Sequence, residues 1–447
     1  MKHVWLWWTK GDVDTEWRQA QDEGRDLRAA EAEYRRLQAA DTAVDAAFQE
    51  AVNALLDRTD ALPVKAGYAY EEPSDLAGIR RARPAGPRVP AGRPAGATLE
   101  DKVHGAWLGR CAGCLLGKPI EGVRTPALWG LLRDGGKAML DDYLWRMDLP
   151  KEAFARRELA RVLTWGEAVQ CMPEDDDTNY TTTGLALVKA QGLDFTPEHV
   201  ADFWMAYIPI LRTCTAERVA YRNFVAEIAP PRSAAFRNPY REWIGAQIRA
   251  DFFGYVAPGR PELAAELAWR DASISHVRNG IYGEMWVAAM LAAAAVESDV
   301  RVLVTLGLSE VPARSRFAEG VRDVLAWHAA GLPYAEAVRR IHARWDETVG
   351  HHWCHTISNA QIVAAGLLWS GGDFERGITQ AVYACLDTDC NGATVGSVLG
   401  MVLGARALPR KWTELMHDTV QTGVMGYHTA RISDMAREMA ALAEKRP

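Results

Sequence analysis

The chain has 447 residues, 49% hydrophobic and 24% charged, an ordinary globular balance that excludes disorder, collagen and a disulfide scaffold. A net charge of −7 without a long basic stripe argues against a nucleic-acid surface, and no apolar run reaches the roughly 18 residues of a membrane span. Seven cysteines, and a Val4-Trp5-Leu6-Trp7-Trp8 start too short and aromatic for a secretion signal, predict a reduced, cytoplasmic protein with no nucleic-acid or membrane partner.

Residues 12–57 read as two helices. Trp17, Ala20, Gly24, Leu27, Tyr34 and Leu37 lie near one face, and Val44, Phe48, Val52 and Leu55 form a second stripe. From Arg80 to Ala97, Pro84, Pro87, Pro90 and Pro94 alternate with glycines and five arginines. Proline fixes φ and removes a donor, so this stretch reads as a linker or strap. The expected organisation is a helical hairpin over 1–79, the strap over 80–97 and a catalytic domain over 98–447. Hairpin and strap are expected to cover the mouth of the pocket.

From Thr98 onward the pattern is helical, over 99–116, 178–191, 197–210, 215–226, 261–271, 279–297, 316–330, 334–345, 355–369, 373–384, 390–405 and 428–444. Strand signatures are scarce, so the fold class is all-α. Gly105, Gly109, Gly113 and Gly117 recur every four residues, as do Gly392, Gly396, Gly400 and Gly404. Each interior glycine costs a helix about 1 kcal/mol relative to alanine. Eight of them imply two buried helices whose backbones approach something closely, though not necessarily each other.

Two acidic clusters stand far apart in the chain, Glu174-Asp175-Asp176-Asp177-Thr178 and Asp387-Thr388-Asp389-Cys390-Asn391-Gly392. Carboxylates at a helix N-terminus can simply cap it and oppose its dipole. The second cluster opens a helix of small, buried residues with no Lys or Arg beside it. Buried carboxylates need a partner, and oxygen donors suit Mg²⁺ or Mn²⁺, less well Ca²⁺.

Three segments, HGAWLGRCAGCLLGKPIEG (104–122), EDDDTNYTTTGLAL (174–187) and DTDCNGATVGSVLG (387–400), resemble in order and spacing the signature segments of the ADP-ribosylglycohydrolases. The resemblance covers about residues 98–410. It implies an orthogonal all-α bundle with a binuclear Mg²⁺ or Mn²⁺ centre. By position in the motifs, the implied metal ligands are Asp175, Asp176, Asp177, Asp387, Asp389 and Cys390. Glu121 closes the first glycine-rich segment and, with Asp176, is the implied catalytic carboxylate. Ser275-His276 resembles the family's pair near the ligand. The implied reaction is hydrolysis at ribosyl C1, on a small ribosyl substrate or an ADP-ribosylated acceptor. A non-catalytic ligand-binding homologue is the third reading.

The sequence departs from the family's pattern in three places. Asp175 and Cys390 each replace a hydroxyl, and a thiol is a poor ligand for Mg²⁺. The phosphate-cradling loop is not recognisable. Its equivalent, 238–249, carries Asn238, Tyr240, Arg241 and Gln247, expected to recognise substrate, with buried ion pairs the alternative for Arg241 and Arg249. Cys111-Ala-Gly-Cys114 lacks a second pair and reads as small helix residues. The run His351-His352-Trp353-Cys354-His355 is expected at the pocket rim, His355 touching substrate, with a separate metal site as the alternative. Asn279, Tyr282 and Glu284 read equally as pocket wall or core. Of the tryptophans, among them Trp165, Trp204, Trp243, Trp286 and Trp353, most read as core, with one or two able to stack on a base.

Overall fold

The computed structural model describes residues 2–40, 45–88, 92–157 and 169–445; Val44, Pro90 and Trp165 lie outside this set. The protein is an all-α orthogonal bundle with an N-terminal helical extension. Among the described residues the strands form one small antiparallel hairpin, Thr419–Gln421 with Thr429–Arg431, in which Val420 faces Ala430.

The glycine stripes build the centre. Helices Gly96–Gly117 and Thr388–Leu403 pack directly on each other. A methyl on Gly105 would lie 2.5 Å from the carbonyl oxygen of Gly400; on Gly109 and Gly113 it would lie closer still to those of Gly396 and Gly392. The partner's number falls as the first rises, so the helices run antiparallel. The absent side chains are what permits backbone to meet backbone. Helix Asn279–Ala294, every residue of which is buried, forms another central element.

Among the described residues, the stretch 12–57 falls in three α-helices rather than two, Lys10–Asp22, Glu31–Ala39 and Ala46–Ala61, and a further one, Leu76–Ala82, runs into the strap. Gly24 ends the first: its φ is +71, and the ring of Tyr68 occupies the place of a side chain. The arginines after it pair away from the second acidic cluster, Arg80 with Glu266, Arg83 with Glu262 and Glu310, and Arg88 with Glu310. Through Arg80 and Arg83 the described part of the strap lies against helix Pro261–Ala272, away from the acidic clusters.

Candidate active site

Antiparallel pairing places the end of the first glycine helix against the start of the second. Thr388 Oγ1 donates to the Gly117 carbonyl at 2.9 Å. Lys118 and Glu121, just past that end, thereby meet Asp387 and Asp389. The other acidic stretch is drawn in by Arg110, a fully buried guanidinium on the first glycine helix. Arg110 donates to Asp177 Oδ1 at 2.8 Å, to Asp251 Oδ2 at 2.7 Å and to the Ile248 carbonyl at 2.6 Å. Asp175 caps helix Asp176–Gln191, accepting from the Asp177 amide at 2.9 Å.

The two acidic stretches meet around Asp389. Donor atoms of Cys114, Asp175, Asp177 and Asp389 lie within 4.8 Å of one another, and so do those of Asp387, Asp389 and Cys390. The electrostatics are those of too many carboxylates in one place. Burial and the charges of Asp175 and Asp389 push Asp176 up to about 8. Burial and Asp175 raise Asp389 to about 6, and the charges of Asp389 and Asp176 raise Glu121, exposed at the cleft, to about 9. Burial also drives Asp177 and Asp387 well up. Asp175 alone falls: burial raises it, but the Lys118 ammonium outweighs that. Asp389 Oδ1 is buried with no hydrogen-bond partner. Crowded oxygen donors and one orphaned carboxylate atom fit a hard divalent cation, whose charge would let the group ionise together. Burial keeps the Cys390 thiol protonated, so it offers these carboxylates an S–H rather than a thiolate.

Beside this cluster opens a cleft of about 140 Å³. Carboxyl groups of Glu121, Asp176, Glu217, Asp387 and Asp389 and the indoles of Trp5, Trp243 and Trp353 line it. Glu217, on helix Thr215–Val225, carries no recognisable motif and sequence reasoning missed it. One of its oxygens accepts from Arg249 at 2.8 Å, while Oε2 is buried without a partner. Burial raises Glu217 to about 7 against the pull of Arg249. His276 stands behind it, Nε2 at 4.0 Å from Oε1 and Nδ1 at 2.8 Å from Ser275 Oγ.

Segment 238–249 divides its labour. Trp243, Ile244, Gly245 and Ile248 line the cleft. Asn238 instead donates to the carbonyls of Ala216, Ala234 and Ser275, and Tyr240 bonds Asp12. Arg241 is buried between Glu16 at 2.6 Å and Glu23 at 2.7 Å. Tyr240 and Arg241 hold the extension to the domain rather than facing the cleft, because helix Lys10–Asp22 and its C-cap Glu23 bring carboxylates to them, while Asn238 ties its own loop to the domain. Gln247 Oε1 accepts from Thr356 Oγ1 at 3.1 Å, behind the wall, and Arg249 is enclosed by Asp271, Glu217 and Ser275. Tyr282 and Glu284 are core residues, as is Trp286.

The histidine run lies between cleft and extension. Donor atoms of Asp22, His351 and His355 cluster within 4.8 Å, yet the hydrogen bonds oppose a metal there. Trp243 Nε1 donates to His351 Nδ1 at 3.1 Å, and the Ile357 amide to His355 Nδ1 at 3.1 Å. Neither donor can accept, so each Nε2 carries the hydrogen. His351 Nε2 faces Asp22 at 3.0 Å, and His355 Nε2 faces Glu242 at 3.5 Å. His355 is fully buried and stacked on Trp345.

An all-helical bundle thus gathers distant carboxylates beside a cleft. The family model described as ADP-ribosylglycohydrolase matches residues 95–447, and the chain belongs to that family. No curated protein matches the chain. Similar solved structures include one described as an ADP-ribosylglycohydrolase-related protein complex, 19% identical with a TM-score of 0.45, over 77% of this chain and 98% of that one.

Proposed function

We propose that the chain is a glycohydrolase that cleaves a C–N or C–O bond at C1 of a ribosyl group and depends on two divalent ions, Mg²⁺ or Mn²⁺. The observation that carries this reading is the convergence of both acidic stretches on Asp389, with its orphaned oxygen, at the edge of a cleft. Asp175, Asp176, Asp177, Asp387 and Asp389 would hold the metals, with Cys390 packed beside them as a donor of S–H. Bound dications supply a grip on vicinal sugar hydroxyls and an acidified water.

The chain's own groups do the rest. Asp176 and Glu121, both on the cleft wall, take the proton of the attacking water and face the positive charge that develops on the ring. Glu217 keeps its proton to about pH 7 and delivers it to the departing nitrogen or oxygen. Trp243 and Trp353 keep bulk water from the reacting centre. The extension (1–79) and strap (80–97) support the catalytic domain (98–447) in this reading. Seven free thiols and the absence, among the described residues, of any helix able to cross a membrane are in keeping with a cytoplasmic setting.

Two substrate classes compete, ADP-ribosylated acceptors and smaller ribosides such as nucleosides. Cleft size favours the second: about 140 Å³ is well below the roughly 300–1,000 Å³ of common ligand pockets. Incubation with ADP-ribosyl-arginine, ADP-ribosyl-serine and a nucleoside panel tests the proposal by release of free ribosyl product. Release from nucleosides supports it in this form, and release from the ADP-ribosylated acceptors alone replaces the substrate class. No release from any of them, with ligands still bound, leaves a binding homologue instead.

A further inference from the structure

The cleft has one wall from outside the family domain. Trp5 precedes residue 95, where the family match begins, yet lines the same cavity as Glu121, Asp176, Asp387 and Asp389. It is held there by several independent contacts. The amides of Leu6 and Trp7 both donate to the His3 carbonyl, at 3.1 and 2.8 Å, closing a turn in which Trp5 takes φ 62, a region seldom adopted by a bulky side chain. The Arg218 guanidinium lies 4.7 Å from the Trp5 ring centre. The same guanidinium donates to the carbonyls of Leu211 at 3.1 Å and Thr213 at 2.5 Å, and to that of Val4 at 3.4 Å. It thus joins the indole to the stretch that carries Cys214, Thr215 and Glu217 into the cleft.

Behind Trp5, Trp8 is buried, its amide on Gln49 and its indole N–H on Asn53, and the next helix is fixed by the Glu16–Arg241–Glu23 ion pairs. The indole is a built part of the cavity, not a loose flap. Among the described residues lining the cleft are five carboxylic acids and three tryptophans, and none is Lys or Arg. Such a surface suits a flat, nitrogen-rich group that stacks on an indole.

We propose that Trp5 is a specificity-determining residue of the glycohydrolase site, stacking on the planar aglycone of a small N-riboside. The inference rests on the glycohydrolase reading above and names its substrate class. The test is calorimetric titration of the full chain loaded with Mg²⁺ by D-ribose, adenosine, nicotinamide riboside and ADP-ribose. Wild type, Trp5→Ala, Trp5→Phe and Asp389→Asn are compared, with thermal unfolding checking that each is folded.

The expected result is that a riboside binds wild type more tightly than ADP-ribose does. Trp5→Ala weakens that riboside about tenfold or more, as loss of a stacking partner does, while D-ribose changes by less than about twofold. Trp5→Phe retains most of the affinity. Unchanged riboside affinity in Trp5→Ala, an equal loss for D-ribose, or tighter binding of ADP-ribose to wild type would overturn the inference alone. If no sugar binds wild type, or Asp389→Asn makes no difference, the glycohydrolase reading falls and the inference with it.

Discussion

Glu217 is a cleft carboxyl without a signature. Nothing in Thr-Ala-Glu-Arg-Val-Ala distinguishes it in the sequence; only its burial, its free Oε2 and its pairing with Arg249 do. The raised pKa has a definite sign. Between the unfolded value of 4.5 and about 7 the folded chain holds a proton the unfolded one has released, so this group's contribution to stability is lost as pH rises through that window. In catalysis the protonated form is the donor, so activity should decline above about pH 7. Glu217→Gln should lower kcat by about 10²–10⁴-fold and remove that alkaline limb, which a pH–rate profile would reveal. The aspartates, by contrast, were legible because each stretch joins several carboxylates to the head of an apolar helix. Asn238, Tyr240 and Arg241 were misplaced because polar density reads alike whether its partner is a ligand or a distant helix. A signal did exist: Asp12, Glu16, Gln19 and Glu23 recur at helical spacing, and all four are buried.

Among the elements, the glycine helices were read as buried from spacing alone, but spacing cannot name the partner. The structure supplies it, and with it the reason the acidic clusters meet. Propensity and packing now oppose each other at one residue. Gly113→Ala should gain about 1 kcal/mol as a helix former. Its methyl would meet the Gly392 carbonyl, backbone that cannot rotate aside, and overpacking of this kind costs about 3 kcal/mol or more. The expected net effect is a loss of at least about 2 kcal/mol, visible in denaturant unfolding. Stability unchanged or increased would mean the helices are not in contact. Elsewhere the elements missed were those whose signals are not periodic. The expected helix 428–444 begins instead at Ile432, because Thr429–Arg431 pairs with Thr419–Gln421. The break at Gly24 was hidden because a glycine on an apolar face reads as a helix residue until its φ is known.

For the molecule as a whole, the extension is tied to the domain by buried ion pairs. The sequence reads residues 1–97 only as a cover for the pocket mouth, but without them Arg241 would lose both Glu16 and Glu23, and Arg316 would lose Glu72 while keeping Glu242. Leaving a buried guanidinium without its carboxylates costs about 3–5 kcal/mol, a large part of a domain's stability. A chain starting at residue 98 should therefore unfold at markedly lower temperature, or fail to fold, rather than merely change its substrate affinity. Melting of the truncated chain within a few degrees of the full chain would contradict this.

In the proposed function, two stretches 210 residues apart form one divalent-cation site, with Asp389 at the join. Calorimetric titration of Mn²⁺ into the full-length protein and into Asp389→Asn tests it most directly. The wild type should bind saturably, and the equally folded variant at least about tenfold more weakly. Equal affinity in the two proteins, or no affinity in either, would contradict it.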